Sequence, residues 1–248
     1  MPAESFWLAA IAFCGSVVFG VTGFGAALVS LPLATHLVPL GFALALYALA
    51  DIANSFSVGL EKPRNAVRAE YLRLVPMILA STAAGVTVLV NLPRAAGMLL
   101  LGSFVIAYAI YALFPHEYRQ PVSRNWAWLA GFAGGVTSSL FGAGGPPYVI
   151  YLSQRGLSKE EFRATLGLVT MTSISLRVIA FLLTGLLLDP KVWLSALVVV
   201  PAALAGIWLG KKIFLSLPRA VLMRFIAVLL LASGSSLVWR ALKLATAA

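Results

Sequence analysis

The sequence predicts an all-α integral membrane protein built as two inverted-topology repeats, each a glycine-broken helical hairpin plus three transmembrane helices. Three observations carry this expectation. The 248 residues are 61% hydrophobic and only 10% charged, with mean hydropathy +0.97, where a soluble domain carries about 25% charged residues. Apolar runs near 41–60, 72–91, 95–114, 165–188, 192–210 and 220–239 each approach the ~20 residues that cross a hydrocarbon core. Two further apolar segments, 7–33 and 126–152, repeat one pattern at a constant offset of 119 residues.

Those two segments come first in each half. Trp7, Phe13, Gly15, Val17, Gly23, Gly25 and Leu33 match Trp126, Phe132, Gly134, Val136, Gly142, Gly144 and Leu152. Both are broken near the middle, by Thr22-Gly23-Phe24-Gly25 and by Phe141-Gly142-Ala143-Gly144-Gly145-Pro146-Pro147. In lipid an unpaired backbone N–H or C=O costs several kcal/mol, so such breaks survive only where protein or a water-filled cavity covers them. Paired broken helices at corresponding places in two halves point to a transporter's binding site. After the broken segments the offset becomes 125. Val75-Pro76 then matches Val200-Pro201, Gly85 matches Gly210, and Leu92-Pro93-Arg94-Ala95 recurs at 217–220. The repeats are taken as residues 1–116 and 117–248, together forming one transmembrane domain. The start, Met1-Pro2-Ala3-Glu4, lacks a basic n-region, so a cleaved signal peptide is not expected. The single cysteine, Cys14, excludes an internal disulfide and is expected to pack as a small buried hydrophobe.

Loop charge sets the path of the broken segments. If each crossed the bilayer once, nine basic residues would face seven, which is no bias. If each instead turns back, Lys62, Arg64, Arg68, Arg73, Arg119, Arg124, Arg155, Lys159, Arg163, Lys211, Lys212 and Arg219 share one side. Arg94, Lys191, Arg240 and Lys243 then lie opposite, twelve against four, as the positive-inside rule asks. The expectation is therefore helical hairpins with both termini outside and a cytoplasmic linker near 115–125; arms of about 15–18 residues (rise ~1.5 Å each) leave open whether they turn back inside the bilayer or cross it fully, for ten spans. The protein is placed as multi-pass in a membrane, with the lipid bilayer as its surroundings. The net charge of +10 serves orientation rather than nucleic acid binding.

Chemistry concentrates at the hairpin tips and at two deep charges. A helix restarts after each glycine cluster, and its first N–H groups have no intrahelical partner, so with the helix dipole they favour an anion. The donors are expected around Phe24, Gly25 and Ala26, and at Ala143, Gly144 and Gly145, since Pro146 and Pro147 lack an N–H; Thr22, Ser138 and Ser139 add hydroxyls. Asp51 and Arg177 lie near the middle of their spans, where an ionisable group costs at least ~2.5–3.5 kcal/mol and needs a partner. Two readings stand: a salt bridge that latches the halves, or division of labour, with Arg177 holding an anion and Asp51 taking up a proton. Asn54 shares the face of Asp51, and Thr170, Ser173 and Arg177 form a stripe on the other half. The candidate substrate-binding set is Thr22, Gly23, Phe24, Gly25, Asn54, Ser139, Gly142, Ala143, Gly144, Gly145, Pro146, Thr170, Ser173 and Arg177, with Asp51 for proton coupling. No catalytic residue, cofactor or metal is expected. His36 and His116 read as interfacial polar residues. An intramembrane enzyme is disfavoured by the single deep carboxylate and the lack of a Gly-x-Ser-Gly segment.

The segments Ala-Leu-Val-Ser-Leu-Pro-Leu at 27–33 and Phe-Gly-Ala-Gly-Gly-Pro-Pro-Tyr-Val-Ile-Tyr-Leu at 141–152 resemble the sulfite exporter TauE/SafE family, across essentially the whole chain. The resemblance implies a bacterial-type inner-membrane permease for sulfur-containing anions such as sulfite, sulfoacetate or other organosulfonates. With no ATPase motif, concentrative transport would draw on a gradient by alternating access, with proton coupling through Asp51 as a hypothesis. The alternatives are an anion channel or a permease for a non-sulfur organic anion. The partner expected is a small anionic substrate; a homo-oligomer stays open.

Overall fold

A computed structural model describes residues 2–114, 122–214 and 219–246. Among them ten α-helices follow one another and no strand occurs: α1 (Pro2–Thr22), α2 (Ala26–Ala34), α3 (Leu40–Gly59), α4 (Arg68–Asn91), α5 (Arg94–Leu113), α6 (Trp126–Phe141), α7 (Gly145–Ser153), α8 (Lys159–Leu183), α9 (Pro190–Phe214) and α10 (Arg219–Thr246). Five of these, α1, α3, α4, α8 and α9, are long and apolar enough to cross a bilayer. The chain is an all-α, multi-pass membrane protein.

The chain reverses at both glycine clusters. Ser30 on α2 donates to the Ile11 carbonyl on α1 at 3.3 Å, and a Cβ on Gly15 would meet Ala26 and Ser30, so α2 lies back along α1. In the second hairpin a Cβ on Gly134 would fall 2.0 Å from the Tyr148 ring, and one on Gly144 would fall 2.6 Å from the Gly134 carbonyl. Here α7 lies back along α6. Both return arms are only nine residues long, about 14 Å at 1.5 Å per residue, which corrects the expected 15–18. A return arm starts at an interior tip, so it has only about half of the ~30 Å core to cover. The outgoing arms are 21 and 16 residues.

Element boundaries repeat as the residues do. Shifted by 119, α6 and α7 become 7–22 and 26–34, and α8 begins where α3 does; shifted by 125, α10 begins where α5 does. Small residues let the backbones approach, as membrane helices require. Phe13 and Val17 of α1 sit against Gly206 and Gly210 of α9, so these helices run the same way. The same holds for α4 and α6, where Leu74 meets Gly131 and Gly85 meets Ser139. By contrast α3 and α8 run antiparallel, Gly59 against Gly167 and Asp51 against Arg177. So do α5 and α10, with Gly102 beside Val238 and Gly234 beside Ile106.

One end of the bundle is charged. Glu61 pairs with Arg163 at 3.4 Å and with Lys211 at 3.7 Å, and Glu160 with Lys62 at 3.5 Å and Asn65 at 2.9 Å. The connections 61–73 and 154–163 and the end of α9 therefore share this basic end. At the opposite end Arg240 of α10 donates to the Thr35 carbonyl at 2.7 Å, and Ser236 lies 3.2 Å from the His36 ring. Cys14 is exposed, not buried as expected; in lipid the outer face of a span is itself apolar, so a small hydrophobe serves there equally well. The run expected at 165–188 is α8, which starts at Lys159 behind a Ser158–Glu161 capping box and stops at Leu183 before the positive-φ Gly185. The repeat boundary at 116/117, His116, Arg119 and residues 217–218 lie outside the described residues.

Candidate functional site

The two tips touch. A Cβ on Gly145 would lie 2.4 Å from Phe24 Cβ, and one on Gly142 would lie 2.7 Å from Ala27 Cβ. Glycine is required at Gly142 on a second count: its φ is +66°, a backbone conformation that L side chains rarely adopt. The first tip turns through Gly23 and Gly25 at φ +82° and +88°.

Arg177 reaches this junction from α8. Its side chain is 1% exposed, and a Cβ on Gly142 would stand 2.2 Å from its Nη1. Nη2 donates to Asp51 Oδ2 at 2.7 Å, Nη1 to the Ser138 carbonyl at 3.3 Å, and the guanidinium carbon lies 5.9 Å from the Phe181 ring centroid. Ser138 sits in the last turn of α6, where the helix dipole favours a cation. Nε has no hydrogen-bond partner although it is buried. The salt bridge named in the first of the two sequence readings is present, joining α3 to α8 through Asp51 and Arg177.

The surrounding polar groups fall in two sets. Asn54 Nδ2 donates to Ser16 Oγ at 2.8 Å, and its Oδ1 is buried without a partner. Tyr148 donates to Ser173 Oγ at 3.0 Å, which ties the return arm α7 to the α8 stripe. The other candidates are spent locally. Thr22 donates to the Val18 carbonyl at 2.9 Å and receives the Phe24 N–H at 3.3 Å. Ala143 N–H goes to the Thr137 carbonyl at 3.1 Å, Ser139 Oγ to Gly135 at 2.8 Å and Thr170 Oγ1 to Leu166 at 2.8 Å. Of the expected amide donors, Phe24 and Ala143 are therefore engaged, because each closes its own turn. Gly25, Ala26, Gly144 and Gly145 stand at the helix starts that follow. Pro146 is buried in the first turn of α7, where its missing N–H breaks no intrahelical bond.

Sequence reasoning missed Ser16, Tyr148 and a cluster around Glu70. Tyr148 lies inside a quoted motif, but a tyrosine among apolar residues gives no sign of its partner; nothing in the spacing marks Ser16. Glu70 lies among basic residues just before the apolar run at 72–91, which gives no sign that it is buried. Arg177 and Asp51 are buried at the junction. The cavity beside the first tip, lined by Thr22, Phe24, Gly25 and Tyr108, holds about 10 Å³. The large groove of about 560 Å³ lies elsewhere, between α3 and α9, lined by Leu49, Ile52, Phe56, Trp193 and Val200; it has no charge with which to hold an anion. Among the described residues no His, Cys, Asp and Glu group could bind a metal ion.

Residues 8–237 match the family described as Sulfite exporter TauE/SafE. The chain belongs to that family. It is a transporter family, so this protein is a membrane transporter rather than an enzyme. Two TauE/SafE relatives are similar along much of their length. A "Probable sulfite/organosulfonate exporter TauE" of Cupriavidus necator is 27% identical over 215 residues, covering 83% of this chain and 82% of that protein. A "Probable inner membrane transporter protein TsaS" of Comamonas testosteroni is 26% identical over 171 residues, 67% and 72% of the two chains. No solved structure matches.

Proposed function

We propose that this TauE/SafE protein is a secondary transporter that moves a small sulfur-containing anion, sulfite or an organosulfonate such as sulfoacetate, across the inner membrane by alternating access. The observation that carries the proposal is Arg177: a guanidinium buried at the junction of two hairpin tips, facing Asp51, with Nε unpaired. A sulfonate or sulfite offers three oxygens, a match for a forked cation. One relative's name supports a transported anion of this kind, and the other's supports the inner membrane. The sides follow from the charged end, which the positive-inside rule makes cytoplasmic. The antiparallel pairings of α3 with α8 and α5 with α10 support halves of opposite orientation, whose relative rocking exposes a central site to each side in turn. The closed packing at the junction favours a carrier over an open pore.

Asp51 occupies the acceptor position that a substrate oxygen needs. For the anion to take Arg177, the carboxylate must leave or be neutralised, since an unpaired carboxylate in a low-dielectric interior is costly. Protonation of Asp51 on substrate entry is the economical route and couples one proton to one anion. The test is thermal unfolding of the purified protein with sulfite, thiosulfate, sulfoacetate, taurine or simple carboxylates. A ligand at 100 times its Kd stabilises by about 2.7 kcal/mol, so a raised midpoint with sulfur oxyanions, absent in Arg177→Ala, is expected. An identical rise in Arg177→Ala, or none with any sulfur anion, would overturn the assignment.

A further inference from the structure

A second buried charge cluster lies at the basic end, away from the Asp51–Arg177 pair. Glu70, in the first turn of α4, is 5% exposed. Its Oε1 receives Arg155 Nε and Nη2, both at 3.1 Å, and Arg73 Nη1 at 3.0 Å, while Oε2 receives the Tyr151 hydroxyl. Tyr151 is in the last turn of α7, and Arg155 lies just beyond its end. Arg155 Nη1 also donates to the Val122 carbonyl, and Val122 N–H to the Gln154 carbonyl at 3.2 Å. The strand of chain entering the second hairpin is thus stitched to the strand leaving it, and one carboxylate fastens both to α4.

The corresponding place in the other half has none of this. Repeat offsets of 125 and 119 carry Glu70 to Ser195, Tyr151 to Pro32 and Arg155 to His36. There the end of the first hairpin is held by Arg240 on a backbone carbonyl and by Ser236 near His36. A general need to anchor hairpins would be met alike in both halves; among the described residues the charged version occurs only at the basic end. From this cluster α7 runs back to the tip, and its Tyr148 is bonded to Ser173, one turn from Arg177 on the α8 stripe. Glu70 fastens the end of α7 through Tyr151, and lifting α7 off that stripe would expose the junction to the basic end.

We infer that Glu70, Tyr151 and Arg155 form the cytoplasmic gate of the transport cycle, closed here and opened by release of Arg155 and Tyr151 from Glu70. The inference rests on the carrier reading above. Glu70 is a gating residue and touches no substrate.

The test uses full-length protein in inside-out and right-side-out membrane vesicles, with Cys14→Ser and a reporter Ser138→Cys beside Arg177. The readout is labelling by a membrane-impermeant maleimide. Glu70→Gln keeps the size, removes the charge, and should speed labelling from the cytoplasmic face by about tenfold or more, since breaking a buried ion pair shifts a two-state opening by that order, with no rise from the outer face. Tyr151→Phe, which deletes one hydroxyl, should give a smaller rise on the same face only, and it decides the matter should Glu70→Gln not fold. Rates equal to the parent in the folded variants, or equal rises from both faces, would overturn the gate. Protection of the reporter by sulfoacetate in the parent separates the two ideas: its absence counts against the carrier reading, whatever Glu70→Gln does.

Discussion

The two hairpins share their spacing residue for residue and differ at the tip. In the first, Gly23 has open surroundings: a Cβ there would meet nothing nearer than Leu166, at 3.6 Å. In the second, the equivalent Gly142 is pressed against the Arg177 guanidinium and Ala27. Both tips keep the backbone bond of their first glycine, Gly23 to Phe19 and Gly142 to Ser138; the next N–H goes to the Thr22 hydroxyl in the first tip and to the Thr137 carbonyl in the second. One pattern of glycines thus serves two purposes. In the first half it lets the chain turn; in the second it also makes room for a cation. A repeat therefore dictates the path of the backbone without dictating where the chemistry sits.

The sharpest way to test that difference is to remove the cation. Arg177→Ala leaves Asp51 buried and unpaired, so a loss of about 3–5 kcal/mol is expected in reversible unfolding. Replacing both partners with apolar residues, Asp51→Leu with Arg177→Met, should recover most of that stability yet leave vesicle uptake abolished. Uptake that survives in the double variant would reduce the pair to a structural latch. Next comes Gly142→Ala, which adds positive-φ strain of ~1–2 kcal/mol to overpacking of ~1–3 kcal/mol and should lower both stability and substrate affinity. Gly23→Ala carries the strain alone, about 1–2 kcal/mol, and affinity should be nearly unchanged. Equal effects of the two on affinity would erase the distinction between the tips. The smallest effect belongs to Thr22→Val, which strips the first tip of its side-chain bond and should lower the unfolding free energy by about 0.5–1.5 kcal/mol, with no change in the pH dependence of uptake.

Much of the fold is legible because lipid punishes unpaired backbone. Glycines in the middle of an apolar segment must be covered, and a reversal covered by two arms and a second tip is one of few ways to do so. Asp51 and Arg177 are legible for the same reason, since isolated charges at that depth need each other. The length of the return arms is not, because a nine-residue helix that stops inside the protein carries the same apolar composition as one that crosses. Glu70 escapes notice because it follows a basic loop, and only its three-dimensional neighbours, 85 residues away at Arg155, show it to be interior. Tyr148 and Ser16 escape because a single hydroxyl in an apolar run has no periodicity of its own. Spacing reveals faces; it does not reveal which group a face will meet.

The Asp51–Arg177 contact has a consequence for ancestry. At an offset of 119, Asp51 corresponds to Thr170 and Arg177 to Val58, so the mirror contact would join Val58 to Thr170 and carries no charge. Two identical subunits, each half the present length, would have had to hold this ion pair twice or do without it. A lone pair needs two halves of different sequence, each keeping a different member, and leaves one such charged seat per polypeptide.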